Sequence, residues 1–225
     1  MIDILFENDD ILAVNKPEGL ACIPTRVAGE PTLLMELSER FPEKIFVVHR
    51  IDKEVSGVML FAKNAKAHKC LNDQFFCRTV LKTYILAACG VITSDKGVIC
   101  KPLRQFGSGR MGVDEKNGKE SITEFSVIAR GPKHTLVKAS PRTGRRHQIR
   151  VHFYSLGHPI AGELRYGDKA TQISVPRLML HAASITFKLP SGESKTVQAM
   201  LPESFKTYLG SIGIAASAGE ACNTV

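Results

Sequence analysis

Between Phe125 and Gly162 this 225-residue chain has no aspartate and no glutamate, although seven Lys and Arg fall in the same stretch: Arg130, Lys133, Lys138, Arg142, Arg145, Arg146 and Arg150. A merely solvated face intersperses both signs. The lack of acid leaves a local positive field of the kind that suits a phosphate backbone or an anionic membrane. Over the whole chain 30 Lys and Arg face 22 Asp and Glu, a net charge of +8, so this stretch carries nearly all of the excess. The six cysteines (Cys22, Cys70, Cys77, Cys89, Cys100 and Cys222) have none of the close spacings of a zinc knuckle or a thioredoxin-like motif, and they point to a reducing compartment. No apolar run approaches the ~18 residues of a membrane span, and Met1–Asp10 lacks the basic flank and apolar core of a signal peptide. A soluble, cytoplasmic protein without membrane contact is therefore expected. Internal repeats and long linkers are absent too, and with 44% hydrophobic residues the chain can bury a sizeable core. One catalytic domain over residues 1–209 is the economical expectation. The small residues from Gly210 onward predict a fraying tail over 210–225.

What is present is a series of short apolar runs bounded by Gly, Pro, Asn or Asp. Ile11–Val14, Phe46–Val48, Val58–Ala62, Tyr84–Ala88, Thr135–Val137 and Leu178–Leu180 are predicted strands. Asn64 predicts the cap of a helix through about Phe76, with Ala67, Cys70, Leu71 and Phe75 on one side. A second helix is predicted from Ile149, His152, Phe153 and Leu156 at i, i+3, i+4 and i+7, stopped by Gly157 and Pro159. Arg146 and Arg150, four apart, would share a face of that helix away from Ile149 and Phe153. The polar segment Asp114–Ser121 is a predicted loop. The fold class is α+β, with more strand than helix.

Two basic turns concentrate the chemistry, His49-Arg50-Ile51-Asp52 and Arg142-Thr143-Gly144-Arg145-Arg146-His147-Gln148-Ile149-Arg150. Asp52 is the one carboxylate among them. A carboxylate at a strand end is often only a turn former. Arg50 two residues away, and a remote turn able to return an arginine, argue for more, because opposite charge keeps a carboxylate ionised and an ionised carboxylate can be a nucleophile.

His49-Arg50-Ile51-Asp52, followed by Ser56-Gly57-Val58, resembles the catalytic motif of the RluA-type RNA pseudouridine synthases, usually His-Arg-Leu-Asp. Asp10–Gly19 is similar to that family's opening strand and loop, and Lys82-Thr83-Tyr84 to its Lys-x-Tyr motif. Arg142–His152 resembles its Thr-Gly-Arg-x-His-Gln-Ile-Arg-Val-His signature, and Pro176–Ala182 its closing strand. The likeness runs from about Ile2 to Pro202. Ile51 replaces the commoner Leu, Arg146 fills a variable position, and the extra N-terminal RNA-binding module of many relatives is not expected here.

The resemblance implies a mixed, mostly antiparallel sheet flanked by helices, with a central RNA-binding cleft. It implies isomerisation of uridine to pseudouridine in structured ribosomal or transfer RNA, without cofactor or metal. Asp52 would be the nucleophile, attacking either the sugar or the base. Tyr84 would be a proton-handling or stacking phenol, and Arg150 the guanidinium that pairs with Asp52. Arg50, His49, Lys82, Arg145, Arg146 and His147 would contact RNA, in part by holding a flipped-out nucleotide. Lys16, before Pro17, is a surface lysine or an RNA contact. The expected partner is RNA alone, bound by a monomer. Two rivals have other sequence support: a non-catalytic RNA-binding domain with Asp52 structural, and a metal hydrolase using His49, His147, His152, His158, His181 and Asp52. The histidine spacings around Gly157 lack the i, i+4 pair of a helical zinc site.

Overall fold

The apolar runs fold as strands in a computed structural model, which describes residues 2–25, 27, 29–215 and 218. The first half of the chain gives β1 (Asp3–Glu7), β2 (Ile11–Lys16), α1 (Leu33–Arg40), β3 (Phe46–Val47), β4 (Ser56–Ala62), α2 (Ala65–Phe76) and β5 (Leu81–Cys89). There follow β6 (Lys96–Cys100), β7 (Leu103–Gln105), β8 (Met111–Val113), β9 (Ile122–Arg130) and β10 (His134–Pro141). The last elements are α3 (Gln148–Ser155), α4 (Lys169–Gln172), β11 (Leu180–Lys188), β12 (Ser194–Gln198) and α5 (Glu203–Ser211). Two compact units result, one reaching Lys82 and including Ala182–Met200, the other comprising Thr83–His181 and the chain from Leu201.

In the first unit β2 lies between β1 and β4, all antiparallel, with Ile11 opposite Ala62 and Lys16 opposite Gly57. β3 pairs with the end of β4, and β11 with β12. Ile11 and Ala13 share a core with Val58, Leu60 and Ala62, and with Ala67 and Leu71 of α2. Both faces of β4 are buried along its whole length, so its sequence shows a continuous apolar run and no period of two. Burying each large side chain in such a core contributes about 1.5–3 kcal/mol. α2 starts where expected: the Asn64 side chain accepts the Ala67 N–H at 2.9 Å, satisfying one of the helix's orphan donors. Gly57 has φ +113°, and a Cβ there would lie 2.2 Å from the Ala182 carbonyl oxygen. Only glycine permits that approach.

In the second unit β10 lies between β5 and β9, with Ala139 opposite both Tyr84 and Phe125. β6 pairs with β9, and β7 with β8. Phe153 of α3 packs edge-on to Phe125, and Val151 joins Leu103, Met111 and Tyr166 in a small core. α5 buries Phe205 and Leu209. The α+β class stands, and two boundaries differ from expectation. β11 begins at Leu180 because Leu178 and Met179 belong to a connection whose Met179 N–H bonds the Ala161 carbonyl at 2.8 Å. α5 runs through Gly210 to Ser211, and Ile214 beyond it is 3% exposed, so packing overrides the small-residue composition that predicted fraying from Gly210. The rest of that expected tail, 216–217 and 219–225, lies outside the described residues.

Candidate active site

The turn carrying Asp52 follows β3 and ends at β4, and its main chain is gripped residue by residue. The Cys22 thiol donates to the Ile51 carbonyl at 3.1 Å. The Asp52 carbonyl accepts the Val55 N–H at 3.1 Å, and the Lys53 carbonyl accepts the Gly19 N–H at 2.8 Å. Lys53 is gripped a second time by Lys16. Lys16 is fully buried, its ammonium donating to the carbonyls of Pro17 at 2.7 Å, Leu20 at 2.8 Å and Lys53 at 3.1 Å. The surface or RNA-contacting lysine expected at this position is thus a buried pin, since three carbonyls converge on its three donors. It ties the loop after β2 to the turn after Asp52. Burial pushes the Cys22 thiol up, which the hydrogen bond to Ile51 only partly opposes. Asp52 itself is half-buried and Arg50 is exposed.

His49 takes a different place from the RNA contact expected of it. Its Nε2 accepts the Leu60 N–H at 2.9 Å, just beyond the pairing of β3 with β4, and its ring stacks on Phe75 with centroids 4.8 Å apart. Burial first and the charge of Lys82 second push its pKa down to about 3. A neutral ring whose acceptor is used by the backbone offers no cation to a phosphate; it holds the start of the turn. Lys82 is half-buried at the beginning of β5, with its own pKa lowered by burial. Tyr84, two residues on, is half-buried.

In the second unit the other basic turn is built around Gln148, which is 4% exposed. Its side-chain oxygen accepts the Thr143 hydroxyl at 2.7 Å and the Arg145 N–H at 3.0 Å, while its amide donates to the Ile122 carbonyl at 2.9 Å and the Thr123 hydroxyl at 3.0 Å. These four bonds fold Thr143–Arg145 onto β9. They also leave His147 as the N-cap of α3 in the left-handed region, φ 53°. His147 Nδ1 lies 2.5 Å from the Tyr166 hydroxyl. Because α3 starts only at Gln148, Arg146 is outside the helix and does not share a face with Arg150. Arg146 is exposed and Arg145 half-buried, with its Nε donating to the Glu120 carbonyl at 3.3 Å.

Arg150 points inward and is 3% exposed. Its Nε and Nη2 meet the two oxygens of Glu163 at 2.6 and 2.9 Å, a fork-to-fork pair with a carboxylate that is itself fully buried. Arg142 likewise forks onto Glu124, both bonds 2.9 Å, and Arg130 reaches Asp95 at 2.7 Å. Glu124 and Glu163 are the residues immediately before and after the acid-free stretch, so the sheet and α3 return carboxylates to a segment that lacks them in sequence. His152 is also committed, with Nδ1 at 2.9 Å from the Thr123 hydroxyl and Nε2 at 3.0 Å from the Lys101 carbonyl. Sequence reasoning missed Lys16 as a pin, Gln148, Glu163 and Tyr166. The signal for Gln148 was its place inside the signature, and Glu163 followed a turn glycine; nothing local marked either as buried.

An RNA pseudouridylate synthase family model matches residues 10–155. The chain belongs to that family. It is 41% identical over 196 residues to a dual-specificity RNA pseudouridine synthase RluA of Vibrio parahaemolyticus serotype O3:K6, covering 84% of this chain and 78% of that protein. It is 40% identical over 224 residues to a ribosomal large subunit pseudouridine synthase C of Pasteurella multocida, covering 93% of this chain and 67% of that protein. Among solved structures, human RNA pseudouridylate synthase domain containing 1 superposes with a TM-score of 0.79 at 29% identity, over 91% of this chain and 86% of that one. These findings favour an enzyme, an RNA-modifying isomerase, over the non-catalytic RNA-binding domain. No helix of the described residues is long and apolar enough to cross a membrane.

Proposed function

We propose that this enzyme isomerises uridine to pseudouridine in structured ribosomal RNA, transfer RNA or both, with Asp52 as the nucleophile. The observation that carries this reading is the hold on the Asp52 turn, where three successive carbonyls, from Ile51 to Lys53, are each hydrogen-bonded within the first unit. A nucleophile must be presented in one orientation, and a turn fixed on both sides of the carboxylate supplies that without movement at the moment of reaction. The reaction breaks the bond from ribose to uracil nitrogen, turns the base and rejoins it through carbon. One proton leaves that carbon and one is gained at nitrogen, so no cofactor or outside reactant is needed.

In this reading Tyr84 handles a proton or stacks on the base, and Arg150 supplies the guanidinium that the resemblance gives to the reaction. Arg50, Lys82, Arg145, Arg146 and His147 hold the RNA while the target uridine leaves its stack, a step costing a few kcal/mol. The protein acts in the cytoplasm as a monomer and needs no protein partner. Transcripts of large-subunit ribosomal RNA and transfer RNA carrying tritium at uracil C5 test it, because isomerisation releases the label to water. Asp52→Asn is expected to abolish release while RNA binding stays within about twofold. Retention of more than roughly a hundredth of the wild-type rate would remove Asp52 as nucleophile.

A further inference from the structure

The strand registers of the second unit separate the two faces of its sheet. Residues directly opposite each other on neighbouring strands project to the same side. Tyr84, Ala139, Phe125 and Gly97 are aligned in this way across β5, β10, β9 and β6. Phe153 of α3 packs on Phe125, so this row faces α3. The adjoining rows, Lys138 with Ser126 and Lys96, and Ser140 with Glu124 and Val98, project from the reverse face. Towards the start of β10 the reverse face is covered by α5, whose Tyr208 ring stands edge-on to His134. Further along it opens into a groove of ≈500 Å³ lined by the two adjoining rows.

Charge in this groove is one-sided. Its carboxylate, Glu124, is forked by Arg142 with both bonds at 2.9 Å. Among the described residues, the ammonium groups of Lys96 and Lys138 and the hydroxyls of Ser126 and Ser140 have no hydrogen-bond or ion-pair partner. Strand spacing places the two lysines on either side of Ser126, about 10 Å apart at the backbone. Their flexible four-carbon stems let both ammonium groups converge on one anion above the serine. Val98, 59% exposed beside Glu124, adds apolar surface on which a ribose can rest. Two cations and two hydroxyls facing solvent, with the neighbouring acid already neutralised, suit a phosphodiester strand, and RNA is the polyanion on which this family acts.

We propose that the groove is a second RNA site, in which Lys96, Lys138, Ser126 and Ser140 hold a phosphate of RNA flanking the segment that carries the target uridine. This rests on the reading above, in which Tyr84, on the opposite face, meets that uridine. β6 is the last strand of the sheet, so the flanking RNA passes from one face to the other around its edge. Lys138 belongs to the acid-free stretch, whereas Lys96 and Ser126 are brought to it only by strand pairing.

Binding isotherms across salt test this with the full chain and two RNAs: the structured transcript that the wild type modifies, and a hairpin cut from it that retains the target uridine. Lys96→Ala and Lys138→Ala are each expected to weaken binding of the transcript about threefold or more at moderate salt and to flatten its logarithmic slope by up to about one unit. Affinity for the hairpin is expected to stay within twofold. Lys133→Ala, which removes the same charge outside the groove, is expected to flatten the transcript's slope by less than half as much. Transcript binding unchanged in both groove variants would give the groove to an occupant other than RNA and overturn the proposal. An equal loss on the hairpin, or an equal effect of Lys133→Ala, would also overturn it, the first by placing the lysines on the target segment and the second by reducing them to general charge. Tritium release by the wild type reports on the reading above independently of these affinities.

Discussion

His49 shows how one side chain can look functional in sequence and serve the framework in the fold. An imidazole that accepts a main-chain N–H must be neutral, and its pKa of about 3 follows from burial and the nearby Lys82. In the unfolded chain the same group titrates near 6.5. Above that pH both states are unprotonated and His49 leaves stability unchanged with pH. As the pH falls below about 6.5 the unfolded state takes up the proton first, so stability is lost progressively until the folded value is reached. At pH 5 the loss is at most about 2 kcal/mol, from ~1.4 kcal/mol for each pH unit below 6.5. His134 and His152, also lowered chiefly by burial, act in the same direction. Thermal melts between pH 7.5 and 4.5 are expected to show a falling midpoint. His49→Gln, whose amide oxygen can accept the Leu60 N–H without titrating, is expected to reduce that slope; an identical slope would place the linkage on the other histidines.

β4 and β11 meet at a point where the backbone leaves no room for a side chain. Gly57 opens the second half of the motif that began at His49, and a methyl group there would sit 2.2 Å from the Ala182 carbonyl oxygen, with φ at +113° besides. Substitution at a position with both a clash and a disfavoured backbone conformation is among the large destabilisations, because neither strain can relax without the other. Gly57→Ala is expected to lower stability by about 2–4 kcal/mol, measured by urea unfolding. Gly192→Ala supplies the comparison: its φ is +91° but nothing lies within 4 Å of the added carbon. A smaller effect at Gly57 than at Gly192 would show that β4 can move away from β11 at little cost.

Electrostatics belongs to the whole molecule. The net charge of +8 first looks like one basic segment, but Arg130, Arg142 and Arg150 are forked onto or bridged to Asp95, Glu124 and Glu163. Among the described residues, that leaves Lys133, Lys138, Arg145 and Arg146 to supply the segment's field. Affinity for RNA is expected to fall steeply with salt, since each phosphate contact releases counterions. Arg145→Ala and Arg146→Ala should each flatten the logarithmic slope by up to about one unit, whereas Arg142→Ala, which frees Glu124 and removes an already compensated charge, should change it less. Binding isotherms from 50 to 300 mM salt check this. An unchanged slope in both turn variants would put the RNA track elsewhere.

Local pattern alone was enough for the strands at Ile11, Val58 and Tyr84, for the Asn64 cap, and for the place of Asp52, because turn residues, capping side chains and apolar runs act on their near neighbours in the chain. The family was legible for the same reason, its motifs being contiguous. The edges of the elements were not. α5 extends through Gly210 to Ser211, and Ile214 packs beyond it, because burial outweighs the weak helix preference of small residues. The roles of the cations also waited on the fold. Lys16 is separated by 37 residues from the Lys53 carbonyl it holds, and Arg150 by 13 from Glu163, which lies just outside the acid-free stretch. A sequence counts charges in order along the chain, but whether a cation meets solvent, a carbonyl or a carboxylate depends on which distant backbone is folded against it, and only the tertiary structure decides that.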